Sequence, residues 1–566
     1  MKKIIPVLVA IVLILIIAAV GFGTVLIDKY SYSKERADLN SYFGITGEDD
    51  VPIILQDAQI EEHARIWDNV CYFDFATVHL YFNDRFYEDR AENLLLYTTP
   101  DAIIRTDIGS TVYETSTGES QDAGYVIARY EGDVLYVAAD YVKQYANFSY
   151  ELFTEPYRMQ IYTQWEEQQV ADITRDTQVR YQGGIKSDIL TDAAQGDRVI
   201  ILEEMENWTK VKTQDAFIGY VENKRLSEKY VEEPVPVTDY VEPEYASQTR
   251  DHKINLAWHA VYSVEGNDTL TGLLSTTQSV NVICPTWFIL TDNAGNFSSL
   301  ASESYVSKAH EMGLEVWGLI SNLSDSVTVD MYELLSRTST RTYLIENLVS
   351  TALAYGLDGI NIDFEHISDK TGEAFIEFIR ELSIPCRANG IVLSIDNYVP
   401  MGFNSHYHRE EQGIVADYVI IMGYDEHYSD SEEAGSVASI NFVENGIAKT
   451  VEEVPPEKVI NGIPFYTRIW ETNGTTVTSQ VVNMEMAAEY LNNHGIEKQW
   501  DEETCQNYGE YQSGNSYFQV WLEDADSIRV KLSVMDQYQI GGVAEWRLGL
   551  EEPMVWEVIA EYMSRN

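Results

Sequence analysis

Apolar and polar positions change period several times along this chain, and each change marks a boundary. Residues 4–27 are apolar almost throughout and carry no charge, a stretch long enough to cross a hydrocarbon core of roughly 30 Å as a helix. From 37 to 165, short runs rich in Tyr, Phe and Val alternate with turns. Residues 70–75, 78–82 and 134–137 read as strands, the last entered through Gly132-Asp133, and together they predict a small mixed β domain. Residues 170–228 carry further short strands at 198–202, 208–212 and 217–221, set apart by polar turns. Residues 229–251 then turn acidic and include Pro234, Pro236 and Pro243, a composition that favours an extended linker over packed structure.

From 252 to 566 strand periods and helix periods alternate. Apolar runs at 254–262, 280–288, 315–321, 357–365, 391–398, 418–424, 459–466 and 541–548 read as eight strands. A helix is expected over 301–312. Leu344, Ile345, Leu348, Val349 and Ala352 make one helical stripe that should stop at Gly356, and Ala374, Phe375, Phe378, Ile379 and Leu382 make the next. Eight strands with intervening helices predict an α/β fold, a (β/α)8 TIM barrel, preceded by two small mainly-β domains and one transmembrane helix. The longest insertion, between Thr467 and Leu522, carries Trp470, Trp500, Tyr508 and Tyr511 as candidates for one wall of a cleft.

The fourth strand concentrates the chemistry. Asn361, Asp363 and Glu365 alternate with Ile360, Ile362 and Phe364, so three polar side chains share one face. Helical patterns on both sides of the strand turn that face into the barrel, where an ionised carboxylate is costly without a partner or a task. Asp363 and Glu365 sit side by side, so their titrations are coupled and one can stay protonated while the other is ionised. That pairing suits a general acid with an anionic assistant, and glycoside hydrolysis is the commonest reaction that needs it.

Residues 358–365, Asp-Gly-Ile-Asn-Ile-Asp-Phe-Glu, resemble the active-site signature of glycoside hydrolase family 18, the chitinase and N-acetylglucosaminidase family. Met422-Gly423-Tyr424-Asp425 resembles the family's later strand carrying Tyr and Asp, and Trp546, after Gly541-Gly542-Val543-Ala544-Glu545, resembles its last strand and aromatic floor. The resemblance implies that Glu365 protonates the glycosidic oxygen while the substrate's own acetamido oxygen attacks the anomeric carbon. Asp363 would orient that acetamido group, Tyr424 would donate to its carbonyl, and Asp425, Met422 and Trp546 would contact the sugar. Trp287 and Tyr466, at the ends of the second and seventh strands, are further candidates for the cleft, and Asp358 is expected to support the strand. The family often has Asp where this chain has Asn361, which leaves the pH optimum open. The resemblance implies no cofactor and no metal; His406-Tyr407-His408 lies on a polar loop with no third ligand evident.

Two other stretches carry resemblances. Gly196-Asp197-Arg198-Val199, residues 207–211 and residues 218–221 are similar to bacterial Src-homology-3-like barrels, which implies either contact with peptidoglycan or a spacer. Residues 131–141 resemble the stalk module at the amino terminus of copper amine oxidases, without copper ligands to carry over.

Composition narrows the partners. The formal net charge of −53 over 566 residues speaks against a nucleic-acid binder, whose footprint would be basic. Cys71, Cys284, Cys386 and Cys505 show neither a zinc spacing nor a disulfide framework, and Cys284 reads as a small buried hydrophobe. Residues 4–27 are expected to stay as an uncleaved anchor, with a cleavable signal near Ala18-Ala19-Val20-Gly21 as the competing reading. Lys2 and Lys3 face Lys29, Lys34 and Arg36 across that segment, so charge does not orient it. The expectation is a single-pass protein of the cell membrane with its catalytic barrel outside. Its substrate would be a β-linked N-acetylglucosamine glycan, peptidoglycan before chitin or glycoprotein glycans. A wall-sugar-binding protein without turnover remains the alternative.

Overall fold

The computed structural model describes residues 4–565 of the protein, with side chains in the first helix at residues 5, 7–18, 20, 29 and 30. That helix, α1, spans Ile4–Tyr30. Leu8, Leu13 and Ile17 on it are exposed. Among the described residues no helix is long and apolar enough to cross a membrane; the predicted anchor, residues 4–27, lies partly outside the described side chains.

The chain divides into two compact units, the first made of residues up to 86, 106–113 and 120–242. It holds two seven-stranded sheets. In one of them Arg198–Glu204, Trp208–Thr213 and Ile218–Glu222 are successive antiparallel strands around Val179, Val199, Val211 and Val221. Two sequence expectations need correction. Residues 78–82 are not a strand: Phe75–Tyr81 is a helix, started by the Asp74 carboxylate accepting from Thr77 N–H. The extended linker also begins later, because Tyr230–Glu232 pairs as a strand with Gln168–Asp172.

The second unit takes residues 87–105, 114–119 and 243–566. Its centre is a closed barrel of eight parallel strands: β1 (Ile254–His259), β2 (Val282–Pro285), β3 (Glu315–Ser321), β4 (Gly359–Asp363), β5 (Val392–Tyr398), β6 (Tyr418–Met422), β7 (Val459–Pro464) and β8 (Gly542–Trp546). Each strand pairs with the next, and β8 pairs with β1. Leu256, Trp258, Trp317, Leu319, Tyr418 and Ile420 fill the interior, while the opposite faces of the strands pack under helices. Gly359 starts β4 where any side chain would strike the Trp317 ring, 2.6 Å from an added Cβ.

Two of the covering helices carry a buried polar layer. Helix α2 (Thr338–Tyr355) ends at Gly356 in the left-handed region, φ 69°, as its stripe predicts. Helix α3 (Gly372–Asn389) lies beside it. Arg341 donates to both oxygens of Glu381 at 2.8 and 3.0 Å, with both side chains fully buried. Residues 87–105 close this layer from an earlier part of the chain. The Asp89 carboxylate accepts from Thr338 N–H and O–H at 2.6 Å, Thr98 donates to Glu377 at 2.8 Å, and the Tyr87 ring lies under the Arg341 guanidinium.

After β7 the chain leaves the barrel. Tyr466, expected at the end of the seventh strand, instead opens Tyr466–Asn473, part of a five-stranded antiparallel sheet with the helix Met484–Asn493 packed on it. The second expected strand also stops early, and Phe288–Leu290 forms a hairpin with Phe297–Ser299.

Candidate active site

β4 delivers Asp363 at its carboxyl end and Glu365 two residues beyond. The Asn322 side chain holds the Glu365 backbone on both sides, accepting from its N–H at 2.8 Å and donating to its carbonyl at 2.9 Å. Both carboxylates open into a cavity of about 220 Å³ lined also by Trp258, Leu319, Asp396, Tyr398, Met422, Tyr424, Asp425 and Trp546. Every one of these residues sits on a barrel strand or within three residues of a strand's carboxyl end, where barrel active sites form.

Hydrogen bonds fix the groups around the cavity. Tyr398 Oη donates to Glu365 Oε2 at 2.6 Å. Tyr466 Oη donates to Asp425 Oδ1 at 2.6 Å, and its ring meets Tyr424 edge-on at 6.3 Å. Asp425 adopts a left-handed backbone, φ 59°. Trp546 stands edge-on to Trp258 at 5.8 Å, and its peptide bond to Arg547 is cis. Burial pushes the Asp363 carboxyl up to about 8, the neighbouring Glu365 charge adds to that rise, and a bond from the Ser321 hydroxyl opposes it. Asp396 is also pushed well above the usual carboxylate range, first by burial and then by the Asp363 charge, against a stabilising bond from Asn361. Burial raises the Tyr424 phenol too, so it stays a hydrogen-bond donor across ordinary pH.

Of the residues singled out in the sequence, Asp363, Glu365, Met422, Tyr424, Asp425 and Trp546 meet in this one cavity. Tyr466 reaches it through Asp425. Asn361 is fully buried within the barrel, donating to Asp396 and Ser394. Asp358 stays outside and accepts from Val316 N–H at 2.8 Å, which anchors the start of β4 to β3. Trp287 is not brought to the cavity: it is buried against Tyr305 and Phe288, donating to Asn267 at 2.8 Å. The insertion's aromatics do not line it either. Trp470 is buried and donates to the Gly435 carbonyl, and Tyr511 stacks on Phe518 within the insertion. His406 bonds to the Ile367 carbonyl, and among the described residues no cluster of three or more His, Cys, Asp or Glu could hold a metal ion.

Asp396 and Tyr398 were missed from the sequence. The signal was present: Ser394, Asp396 and Tyr398 repeat at a spacing of two on a strand with covered faces, the same argument that exposed Asp363 and Glu365.

Comparison with known proteins agrees with this geometry. Residues 244–551 match the glycosyl hydrolases family 18 and residues 176–227 the bacterial SH3 domain. The chain is 30% identical over 241 residues to a protein named as a sporulation-specific glycosylase, YdhD, of Bacillus subtilis, covering 41% of this chain and 57% of that one. It is 26% identical over 256 residues to the cortical fragment-lytic enzyme of the same organism, covering 43% and 59%. It thus spans under two thirds of the length of these two relatives. A crystal structure of a chitinase from Chromobacterium violaceum superposes with a TM-score of 0.50 at 24% identity, covering 56% of this chain and all of that one. The spore cortex-lytic enzyme SleL of Bacillus cereus superposes with a TM-score of 0.50 at 20% identity, covering 58% and 78%. Those two likenesses speak for the barrel fold. With the family match spanning more than half the chain over the residues that build this cavity, the protein belongs to the glycosyl hydrolases of family 18.

Proposed function

We propose that the protein cleaves β-linked N-acetylglucosamine glycans by substrate-assisted, retaining catalysis, with Glu365 as the acid. The observation that carries this reading is the convergence of Glu365, Asp363, Tyr424 and Trp546 on one cavity at the carboxyl end of the barrel. Trp546 supplies a face for the sugar at the cleavage point. Tyr424, kept protonated by burial, donates to the acetamido carbonyl and aims its oxygen at the anomeric carbon. Asp363 accepts from the acetamido N–H and stabilises the positive charge of the oxazolinium ion. Glu365, its backbone held by Asn322, gives its proton to the leaving oxygen and recovers one from the water that opens the ring. Asp425 is engaged by Tyr466 and is left to position Tyr424 and the sugar hydroxyls.

Peptidoglycan is the substrate this reading favours, supported by the cortical fragment-lytic relative and by the SH3-like domain in the same chain. The uncharged apolar run of residues 4–27 is what favours a single-pass membrane anchor, and a wall substrate would put the barrel outside the cell. Protease added to intact cells should then release the barrel; protection until lysis would overturn that placement.

Glu365→Gln tests the acid. It is expected to lower kcat by about 10²- to 10⁴-fold with glycan affinity within about tenfold, since the amide keeps the shape but has no proton to give. Digesting purified sacculi, chitin and a glycoprotein side by side ranks the substrates. De-N-acetylated glycan should lose several orders of magnitude in rate, because the intramolecular nucleophile is gone. A covalent glycosyl adduct on Asp363 or Asp425 would refute substrate assistance.

A further inference from the structure

The mechanism above leaves one cavity carboxylate without a task. Asp396 lies on β5 and is only 4% exposed. β4 and β5 run parallel with Asn361 opposite Ser394 and Ile362 opposite Ile395, and one more step along that register sets Asp363 beside Asp396. Asp396 shares a strand face with Val392, which packs in the barrel interior, and both aspartates line the cavity. Asn361 holds Asp396 from within the barrel. Its Nδ2 donates to Asp396 Oδ1 at 2.9 Å and to Ser394 Oγ at 3.0 Å, and its Oδ1 accepts from Trp258 Nε1 at 3.3 Å. An amide so placed orients one oxygen of Asp396, but it has no carboxyl proton to share.

We propose that Asp396 is the proton-sharing partner of Asp363, a positioning residue supplied from β5 because residue 361 on β4 is an amide. The proposal rests on the glycosidase reading of this cavity. In the free protein the two aspartates hold one proton between them. When the acetamido N–H arrives, Asp363 must accept it as an anion: the O–H bond on Asp363 breaks and an O–H bond forms on Asp396. The charge of the pair is unchanged and no proton leaves the protein.

The titratable groups around the pair are Glu365 on the β4 end, Tyr398 on β5, Tyr424 and Asp425 after β6, and Cys284 on β2. The Glu365 charge opposes a second negative charge on the pair, while burial keeps the Tyr398, Tyr424 and Cys284 side chains protonated. Burial holds both aspartates above the ordinary carboxylate range; the Glu365 charge adds to the rise at Asp363 and the Asp363 charge to the rise at Asp396, so the protonation of one carboxyl depends on its neighbours.

The test uses the thiazoline derived from chitobiose, a mimic of the oxazolinium ion, and isothermal calorimetry at pH 6.5 in buffers of different ionisation enthalpy. Asp396→Asn is expected to release close to one proton more per ligand bound than the natural protein, because the proton displaced from Asp363 has nowhere else to go. Its kcat on a fluorogenic chitobioside should fall at least tenfold with KM within threefold, and its pH optimum should move. The double variant Asn361→Asp/Asp396→Asn, which moves the carboxyl to β4, should recover most of that loss. Equal proton counts and an unchanged pH profile in Asp396→Asn would overturn the role of Asp396 alone, as would a double variant no better than the single. Failure of the natural protein to bind the thiazoline would instead remove the reading of the cavity, and the proposal with it.

Discussion

At the scale of single residues, the cavity is built from side chains whose protonation is tied to stability. Asp363 titrates near 8 in the folded protein against 3.8 for an ordinary Asp. Between those values the folded state binds more protons than the unfolded one, so stability falls as pH rises through that window and the deficit is complete above it. Asp363→Asn should therefore raise the melting temperature of the barrel at pH 8 and change it little at pH 4, followed by tryptophan fluorescence. An equal gain at both values would remove titration as the cause. Tyr398 offers a second test: Tyr398→Phe deletes the 2.6 Å bond that fixes one oxygen of Glu365, and a small misplacement of a reacting group can cost up to about 10²-fold in rate. A fall in kcat of roughly ten- to hundredfold on the fluorogenic chitobioside is expected, while an unchanged kcat would show that the bond only packs the ring. Asp363, Glu365, Tyr424, Asp425 and Trp546 were legible in the sequence because they lie in three contiguous motifs. Asp396 and Tyr398 carry the same alternation on β5 but lie in no contiguous motif, and the β4–β5 register is what sets Asp396 beside Asp363. Trp287 and Trp470 misled for the converse reason. An aromatic residue near a strand end serves the core as readily as a cleft, and each of these has its indole N–H satisfied inside the protein.

At the scale of elements, repeated period outperformed local propensity. The eight barrel strands and the stop of α2 at Gly356 follow from alternating apolar stripes, whereas residues 78–82 read as a strand by composition and fall largely in the helix Phe75–Tyr81, started by the Asp74 cap. What no pattern announced is the ion pair between α2 and α3, since Arg341 and Glu381 interrupt helix faces that otherwise read as core. Burial pushes the Glu381 carboxyl up to about 7 even against the pull of Arg341. The gain from such a pair is therefore small, while leaving either charge alone is expensive. Arg341→Met should cost about 3–5 kcal/mol in urea denaturation, and Glu381→Leu a similar amount. The double variant should recover most of either loss, because no buried charge is left without a counterpart. Additive losses in the double variant would show that the pair's contacts to Leu335, Thr338 and Tyr87, and not its charges, carry the stability.

At the scale of the whole molecule, the boundary drawn by composition is not the boundary drawn by packing. The acidic, Pro-bearing stretch separates the residues of the SH3-like sheet from the family match, and from 233 to 250 it forms neither helix nor strand. A sequence reading treats that stretch as the one join between the catalytic barrel and everything before it. Residues 87–105 change this, because they belong to the compact unit of the barrel although they precede the linker by more than a hundred residues. Their attachment is buried and partly polar: Leu94 and Leu96 join the apolar core under the barrel's helices, Asp89 accepts from Thr338, Thr98 donates to Glu377, and the Tyr87 ring lies under Arg341. Removing these partners would leave the polar groups of α2 and α3 unsatisfied, at about 1–3 kcal/mol for each one buried. Glu244 is exposed and is followed by Tyr245, so a glutamate-specific protease should cut the folded chain there. The expected result is two bands on a denaturing gel and a single species on a sizing column, because residues 87–105 hold the pieces together after the linker is gone. Asp89→Ala combined with Thr98→Val should let the nicked pieces part, and a chain beginning at residue 244 should melt below the intact protein. Separation of the natural protein's pieces under native conditions would show that the linker is the only effective join.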